Sequence, residues 1–276
     1  AIKDHRFFNK KAVTKTFSGI EESKLKGACY YTDTVVDDAR LVLRVLQESM
    51  ADGGQTLNYA KAVNLIKDDN QQVTGIVIED AAKETTQSET NNESNARIAV
   101  KANVVINATG AWADKLRSEV IAEKRIRPLR GSHLLFSQQK FPINAALTLF
   151  HPEDKRPIFI SPWEGVTLVG TTDLDHDKDL DIEASITQEE VDYLFVLIKL
   201  YFPKINVNAE DVLSSYAGVR PVITSDNAFK NSAFKNSAFK NDTAKINPSK
   251  ERRDHAVWAD KGLITVSGGK LTTFRL

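Results

Sequence analysis

The 276-residue sequence predicts an α+β fold, on three observations. Between Arg125 and Val169, short apolar runs are punctuated by Pro128, Pro142, Pro152, Pro157 and Pro162, which suggests an antiparallel sheet of short strands. Asp33–Ala51 and Thr187–Tyr201 carry apolar residues at helical spacing. Val104–Ile106 and Leu263–Val266 are short apolar, β-branched strands, and each leads into a glycine-containing turn.

Taken in order, residues 1–32 read as polar and irregular, with basic Lys10-Lys11, Lys24 and Lys26, and as a surface excursion. In the helix expected from Asp33 to Ala51, Val36, Ala39, Leu43 and Leu46 share one face, which Val35 and Val42 widen. Asp33 and Asp37-Asp38 suit its positive N-terminal end, and Gly53-Gly54 stops it. Leu57–Ile66, Val73–Glu79 and Arg97–Ile106 read as strands, with the Glu-, Thr-, Ser- and Asn-rich run Ala81–Asn95 as a hairpin tip or disordered loop. In the second helix, Thr187 with Glu189 and Glu190 makes a good N-terminus. Ala228-Phe229-Lys230-Asn231 recurs at Ala233–Asn236 and Ala238–Asn241, a period that fits neither helix nor strand. Solenoid units run to about 20–50 residues, so this repeat reads as a mobile surface loop.

Composition excludes several functions. Basic and acidic residues balance, 37 against 37, so no global field attracts nucleic acid or an acidic membrane. Cys29 is the sole cysteine, which rules out an intrachain disulfide, favours a reducing compartment such as the cytoplasm, and suggests a small buried residue rather than a nucleophile. No signal peptide is expected, because Ala1–Arg6 leads into no apolar run. Tyr193–Phe202 is about half the roughly 20 residues of a bilayer span. The run Asp173, Asp175, His176, Asp177, Asp179, Asp181 lacks the glycine and glutamate of a calcium loop and reads as a solvated acidic loop, with no metal site.

The chemistry sits in a few short segments. Asn107-Ala108-Thr109-Gly110-Ala111-Trp112 follows one strand, and Gly268-Gly269-Lys270-Leu271-Thr272-Thr273 follows another. Paired glycines let backbone approach a ligand, and threonines there would cap a helix whose amides face an anion. Arg127-Pro128-Leu129-Arg130-Gly131-Ser132-His133 supplies the best base, since an unperturbed imidazole is partly neutral near pH 7. His5, His151, His176 and His255 lack such a context and are left structural or exposed. Arg220, in Tyr216-Ala217-Gly218-Val219-Arg220-Pro221, has a restricted pre-proline backbone and a guanidinium able to grip phosphate. Lys270 adds a second cation.

In that order, with Leu168-Val169-Gly170-Thr171-Thr172-Asp173 between, these segments resemble the FAD-dependent glycerol-3-phosphate dehydrogenases and the related glycerophosphate oxidases. The resemblance runs from about Gly27-Ala28 to the C-terminus. The Ala-Thr-Gly turn is shared by many flavoproteins. The segments around Arg220 and Lys270, in register with those around His133 and Asp173, are specific together.

The resemblance implies FAD as cofactor and oxidation of sn-glycerol 3-phosphate to dihydroxyacetone phosphate, with quinone or oxygen as final acceptor. His133 and Lys270 are then catalytic, and Arg220 and Lys270 bind substrate. Ala108, Thr109, Gly110, Trp112, Gly268, Gly269, Leu271 and Thr272 lie along the cofactor. It implies part of a Rossmann-like FAD-binding domain (27–65, 98–120 and 254–276), a hairpin insertion (66–97), and an antiparallel-sheet substrate domain (121–253) with the repeat loop at 226–250. The enzyme is expected in the cytoplasm or peripherally on the inner membrane face, with a homo-oligomer left open. The family's GxGxxG turn has no counterpart here, the only paired glycines being Gly53-Gly54 and Gly268-Gly269. The sequence therefore reads as the central part of a longer enzyme, expected by itself to bind FAD weakly or not at all and to be inactive. Two alternatives stand: a related amino-acid or hydroxy-acid oxidase, and a folded, non-catalytic fragment.

Overall fold

A computed structural model describes residues 5–33, 36–82, 96–224, 255–269 and 271. In chain order the first elements are β1 (Arg6–Asn9), α1 (Lys10–Thr16), β2 (Gly27–Tyr30), α2 (Asp38–Ala51), β3 (Ala60–Lys67), β4 (Val73–Asp80), β5 (Arg97–Lys101), β6 (Val105–Asn107) and α3 (Ala113–Arg117). Then come β7 (Ile126–Ser137), β8 (Leu147–Phe150), β9 (Pro157–Trp163), β10 (Val166–Gly170), β11 (Leu174–Asp175), α4 (Gln188–Tyr201), β12 (Val212–Ile223), β13 (His255–Asp260) and β14 (Leu263–Gly268). These form two compact units, one of residues 5–33 and 128–220, the other of the remaining described segments. The fold is α+β, as the sequence predicts.

The first unit is built on a sheet in the order β11-β7-β10-β9-β8, with β12 also pairing β7. The β11–β7, β7–β10, β10–β9 and β9–β8 pairs are antiparallel. Strand alternation puts Leu134 and Phe136 of β7 and Ile158 and Ile160 of β9 into one core with Leu194, Leu197 and Ile198 of α4. Burying each such side chain contributes roughly 1.5–3 kcal/mol. Thr187 caps α4 as expected: its side chain accepts from Glu190 N, and Glu190 reaches back to Thr187 N.

Residues before 33 are not the irregular excursion expected. Val13 of α1, with Phe17 at its C-terminal cap and Ile20 in the turn beyond, is buried in this core. The basic residues around them masked these apolar anchors. Cys29, on β2, is exposed rather than a small core residue. His151 is fully buried and stacks on Tyr193, a structural role in line with expectation.

In the second unit, β3, β4 and β5 form an antiparallel meander. A separate sheet runs β13-β14-β6, with β14 and β6 parallel. The single strand expected over Arg97–Ile106 is therefore two, because β5 hydrogen-bonds to β4 and β6 to β14 in a different sheet. The apolar cluster is small: Leu65, Val73, Val105, Leu116 and Leu263. Helix α2 starts at Asp38, later than expected, because the Asp37 side chain caps it by accepting from Arg40 N at 3.0 Å. The expected loop at Ala81–Asn95 and the repeat at Ala228–Asn241 lie mostly or wholly outside the described residues.

Candidate functional site

His133 does not sit before a strand, nor Arg220 at the end of one. Both are inside long strands, β7 and β12, which pair with each other. Ser132, Leu134 and Phe136 are buried on the core side, so alternation places His133 and Gly131 on the opposite face of β7. The strand continues through Pro221, whose effect on Arg220 is to favour the extended backbone a strand needs.

Two glycines make room for the His133 and Arg220 side chains. Opposite His133 on β10 is Gly170, where an added Cβ would run into the imidazole Cδ2. At Gly131 a Cβ would meet Thr171 Oγ1 and come within 3.0 Å of an Arg220 guanidinium nitrogen. The imidazole thus lies over bare backbone on one side and stacks on the Tyr216 ring at 4.6 Å on the other.

The electrostatics follow from this seating. Burial first, and the Arg220 charge second, lower the His133 pKa to about 4. Its Nδ1 is buried without a hydrogen bond among the described residues, so an imidazolium would carry an unsatisfied N–H. Both effects favour the neutral ring. The pH range in which His133 is neutral therefore extends well below 6.5, the ordinary value of an imidazole.

Arg220 is held by groups that sequence reasoning placed elsewhere. Its guanidinium donates to Asp173 Oδ1 at 2.5 Å and to the Thr172 carbonyl at 3.1 Å. The Asp173 side chain is 1% exposed, and its other oxygen lies 3.7 Å from buried Arg156, which also donates to the Thr171 carbonyl. Asp173 is therefore not part of a solvated acidic loop. It is a buried counter-ion between two arginines, and removing one partner of such a pair costs about 3–5 kcal/mol. His176, of the same run, is buried too.

Behind this face, Glu190 accepts from Ser132 Oγ at 2.8 Å, Thr172 Oγ1 at 2.6 Å and Arg130 Nε at 3.1 Å. Burial alone would raise its pKa, but bonds from Thr172, Thr187, Ser132 and Arg130 outweigh that and hold the carboxyl below its usual range. Glu190, the carboxylate that closes the α4 capping box with Thr187, thus also fixes Ser132 and Thr172, the two residues flanking the site. A capping-box pattern showed the helix start but not this second use.

In the other unit, β6 and β14 run parallel, with Asn107 opposite Thr265. Both glycine turns therefore leave the same carboxyl edge of the sheet, where open α/β sheets bind ligands. Asn107 is fully buried and pins the first turn. Its amide donates to the Ala113 carbonyl at 2.9 Å, and its oxygen accepts from Thr109 Oγ1 at 2.7 Å. Gly110 follows with φ +61° and no described atom within 4 Å of where a Cβ would be. Ala108 and Thr109 lie in this turn, and the Trp112 amide donates to the Thr109 carbonyl at 3.2 Å. At the end of β14, Gly268 and Gly269 have φ +79° and +81°, left-handed backbone that glycine adopts without strain. Ser267 Oγ, just before them, is buried with no hydrogen bond among the described residues. Leu271 is partly exposed, while Lys270 and Thr272 lie outside the described residues. Side-chain-free backbone, a buried hydroxyl with no partner among the described residues and a shared carboxyl edge fit a phosphate-bearing nucleotide cofactor.

Glycine turns at the carboxyl edge of parallel strands in one unit, and a neutral imidazole beside a guanidinium in the other, are parts of a nucleotide-cofactor oxidoreductase. The chain belongs to the FAD-dependent oxidoreductase family, whose sequence model matches residues 1–268. It is 34% identical over 259 residues to an aerobic glycerol-3-phosphate dehydrogenase of Staphylococcus aureus, covering 93% of this chain and 41% of that protein. A glycerol-3-phosphate dehydrogenase from Bacillus halodurans, solved with FAD, superposes with a TM-score of 0.76 at 30% identity, over 98% of this chain and 46% of that one. An L-α-glycerophosphate oxidase from Mycoplasma pneumoniae shares the fold at a TM-score of 0.58 and 20% identity, over 81% of this chain and 54% of that one. The chain thus spans less than half the length of the curated relative.

Among the described residues no helix is long and apolar enough to cross a membrane, and no group of three or more His, Cys, Asp or Glu could hold a metal.

Proposed function

We propose that this chain forms part of an enzyme that oxidises sn-glycerol 3-phosphate to dihydroxyacetone phosphate. The observation that carries the reading is a neutral imidazole and an anchored guanidinium sharing one sheet face. FAD, when bound, would accept the hydride leaving C2, both electrons of the C2–H bond included. The turns at Ala108–Gly110 and Gly268–Gly269, with Trp112 and Leu271, are the residues proposed to hold it, and Thr272 joins them by resemblance.

Arg220 grips the phosphate with charge-assisted hydrogen bonds while Asp173 fixes its orientation. His133 takes the hydroxyl proton, and because it is neutral from about pH 4 upward it is free to accept one. A phosphate beside Arg220 cancels the smaller cause of its low pKa, so the base strengthens when substrate arrives. Lys270 is the second proposed cation.

Residues 121–253 are the proposed substrate domain and 66–97 the inserted hairpin. The proposed flavin side is 27–65, 98–120 and 254–276, less β2, which pairs with β1 and groups with the first unit. Quinone is the proposed acceptor, with oxygen as the alternative that peroxide release would reveal. A cytoplasmic enzyme in peripheral contact with the membrane suits a quinone acceptor.

The test is Arg220→Lys in the FAD-loaded full-length protein. A bidentate charged contact is worth roughly 1.5–3 kcal/mol, so KM for glycerol 3-phosphate should rise about tenfold or more, and unphosphorylated glycerol should be little affected. Equal losses for both substrates would make Arg220 a structural residue.

A further inference from the structure

Glycine inside a strand weakens it by about 0.5–1 kcal/mol relative to alanine, so each strand glycine calls for a reason. Three lie near the site, and two explain themselves: Gly131 makes room for Arg220 and Thr171, and Gly170 for His133. Gly218 of β12 has neither kind of excuse. Its φ is not in the left-handed region, and no described atom lies within 4 Å of the position its Cβ would take. Nothing among the described residues of the fold demands that this position be bare.

Its place in the strand supplies a reason. With a side-chain period of two, Tyr216, Gly218 and Arg220 point to one face of β12, Gly218 being roughly 7 Å along the strand from each. Tyr216 stacks on His133, so the proton acceptor stands at one end of the bare patch. Arg220, anchored through Asp173 and Thr172, stands at the other. An open patch between a base and a guanidinium fits a short carbon chain with an anion at one end.

We propose that Gly218 is a specificity-determining residue, its missing side chain forming the slot that admits the three-carbon chain of the substrate between Arg220 and the His133–Tyr216 pair. This rests on the assignment of phosphate to Arg220. Inorganic phosphate has no carbon chain, so it separates the slot from the phosphate subsite. Dihydroxyacetone phosphate has the chain but brings no hydride to transfer.

The experiment is calorimetric titration of both probes into the FAD-loaded full-length protein and its Gly218→Ala and Gly218→Val variants, with melting temperatures recorded. Both variants should melt at or above the temperature of the unaltered protein, since an open strand position accepts a β-former. Dihydroxyacetone phosphate should bind at least about tenfold more weakly to Gly218→Val, with Gly218→Ala intermediate. Inorganic phosphate should bind all three proteins within about twofold. Equal affinity of Gly218→Val and the unaltered protein for dihydroxyacetone phosphate overturns the inference. So does a parallel loss for both probes, which would mean that the strand itself was disturbed. If the unaltered protein binds neither probe, the phosphate assignment fails, and the slot with it.

Discussion

Helices α2 and α4 are both 14 residues long, begin at a side-chain cap, and carry an apolar stripe. They meet different fates. In α4, Leu194 is 0% exposed and sits in a core shared with β7 and β9. In α2 no residue is buried, and Leu43, the centre of its stripe, is 58% exposed. Helical spacing therefore reports that a helix forms and which face is apolar. It does not report whether the described chain covers that face. The unit containing α4 closes its own core and holds His133 and Arg220 on the sheet's other face, whereas the unit containing α2 shows a small apolar cluster among its described residues.

The sharpest way to break this comparison is to truncate both stripes. Leu194→Ala should destabilise the chain by about 2–5 kcal/mol in denaturant unfolding, the usual cost of a cavity in a closed core. Leu43→Ala should cost no more than about 0.5 kcal/mol, as for an exposed position. Comparable losses would mean that the α2 stripe is covered in the protein and that the contrast is false.

A smaller effect sharpens the same contrast at the caps. Thr187 closes a two-way capping box with Glu190, and Glu190 also ties down Ser132 and Thr172. Thr187→Ala should cost about 1 kcal/mol of global stability. Asp37→Ala removes a cap bond and an exposed ion pair with Arg40 at an exposed helix start, so it should fray α2 and shift the global transition less. Hydrogen exchange resolves the two: α4 amides should lose protection together with the core, α2 amides alone.

Much of the site was legible because its parts are local. An imidazole two residues after a glycine, an arginine before a proline and a strand ending in two glycines are short-range patterns, and the structure puts His133 and Arg220 on neighbouring strands. What escaped the sequence is long-range. Asp173 meets Arg220 across 47 positions, and surrounded by Asp175, Asp177 and Asp179 it reads as one more solvated carboxylate. Asn107 was visible as a strand end, but its hold on the Thr109 turn depends on side-chain geometry. Helix α1 escaped because Val13 is its one buried apolar residue, set among lysines, while Phe17 and Ile20, buried in the same core, lie past its end. The extent of β7 and β12 escaped because proline within each suggested a break that the strands do not make.

The central claim is that the unit with the closed core holds a neutral imidazole beside a phosphate-gripping guanidinium. Burial that depresses a histidine pKa also ties stability to pH. The unfolded ring protonates near 6.5 and the folded one near 4, so this contribution is complete above pH 6.5 and lost as pH falls toward 4. The direct measurement is an NMR titration of the His133 ring from pH 3.5 to 7.5, with and without inorganic phosphate. The expected midpoint is about 4 in the free protein, moving upward when phosphate binds beside Arg220. A midpoint near 6.5 that phosphate leaves unchanged would contradict both the buried, neutral base and the neighbouring anion site.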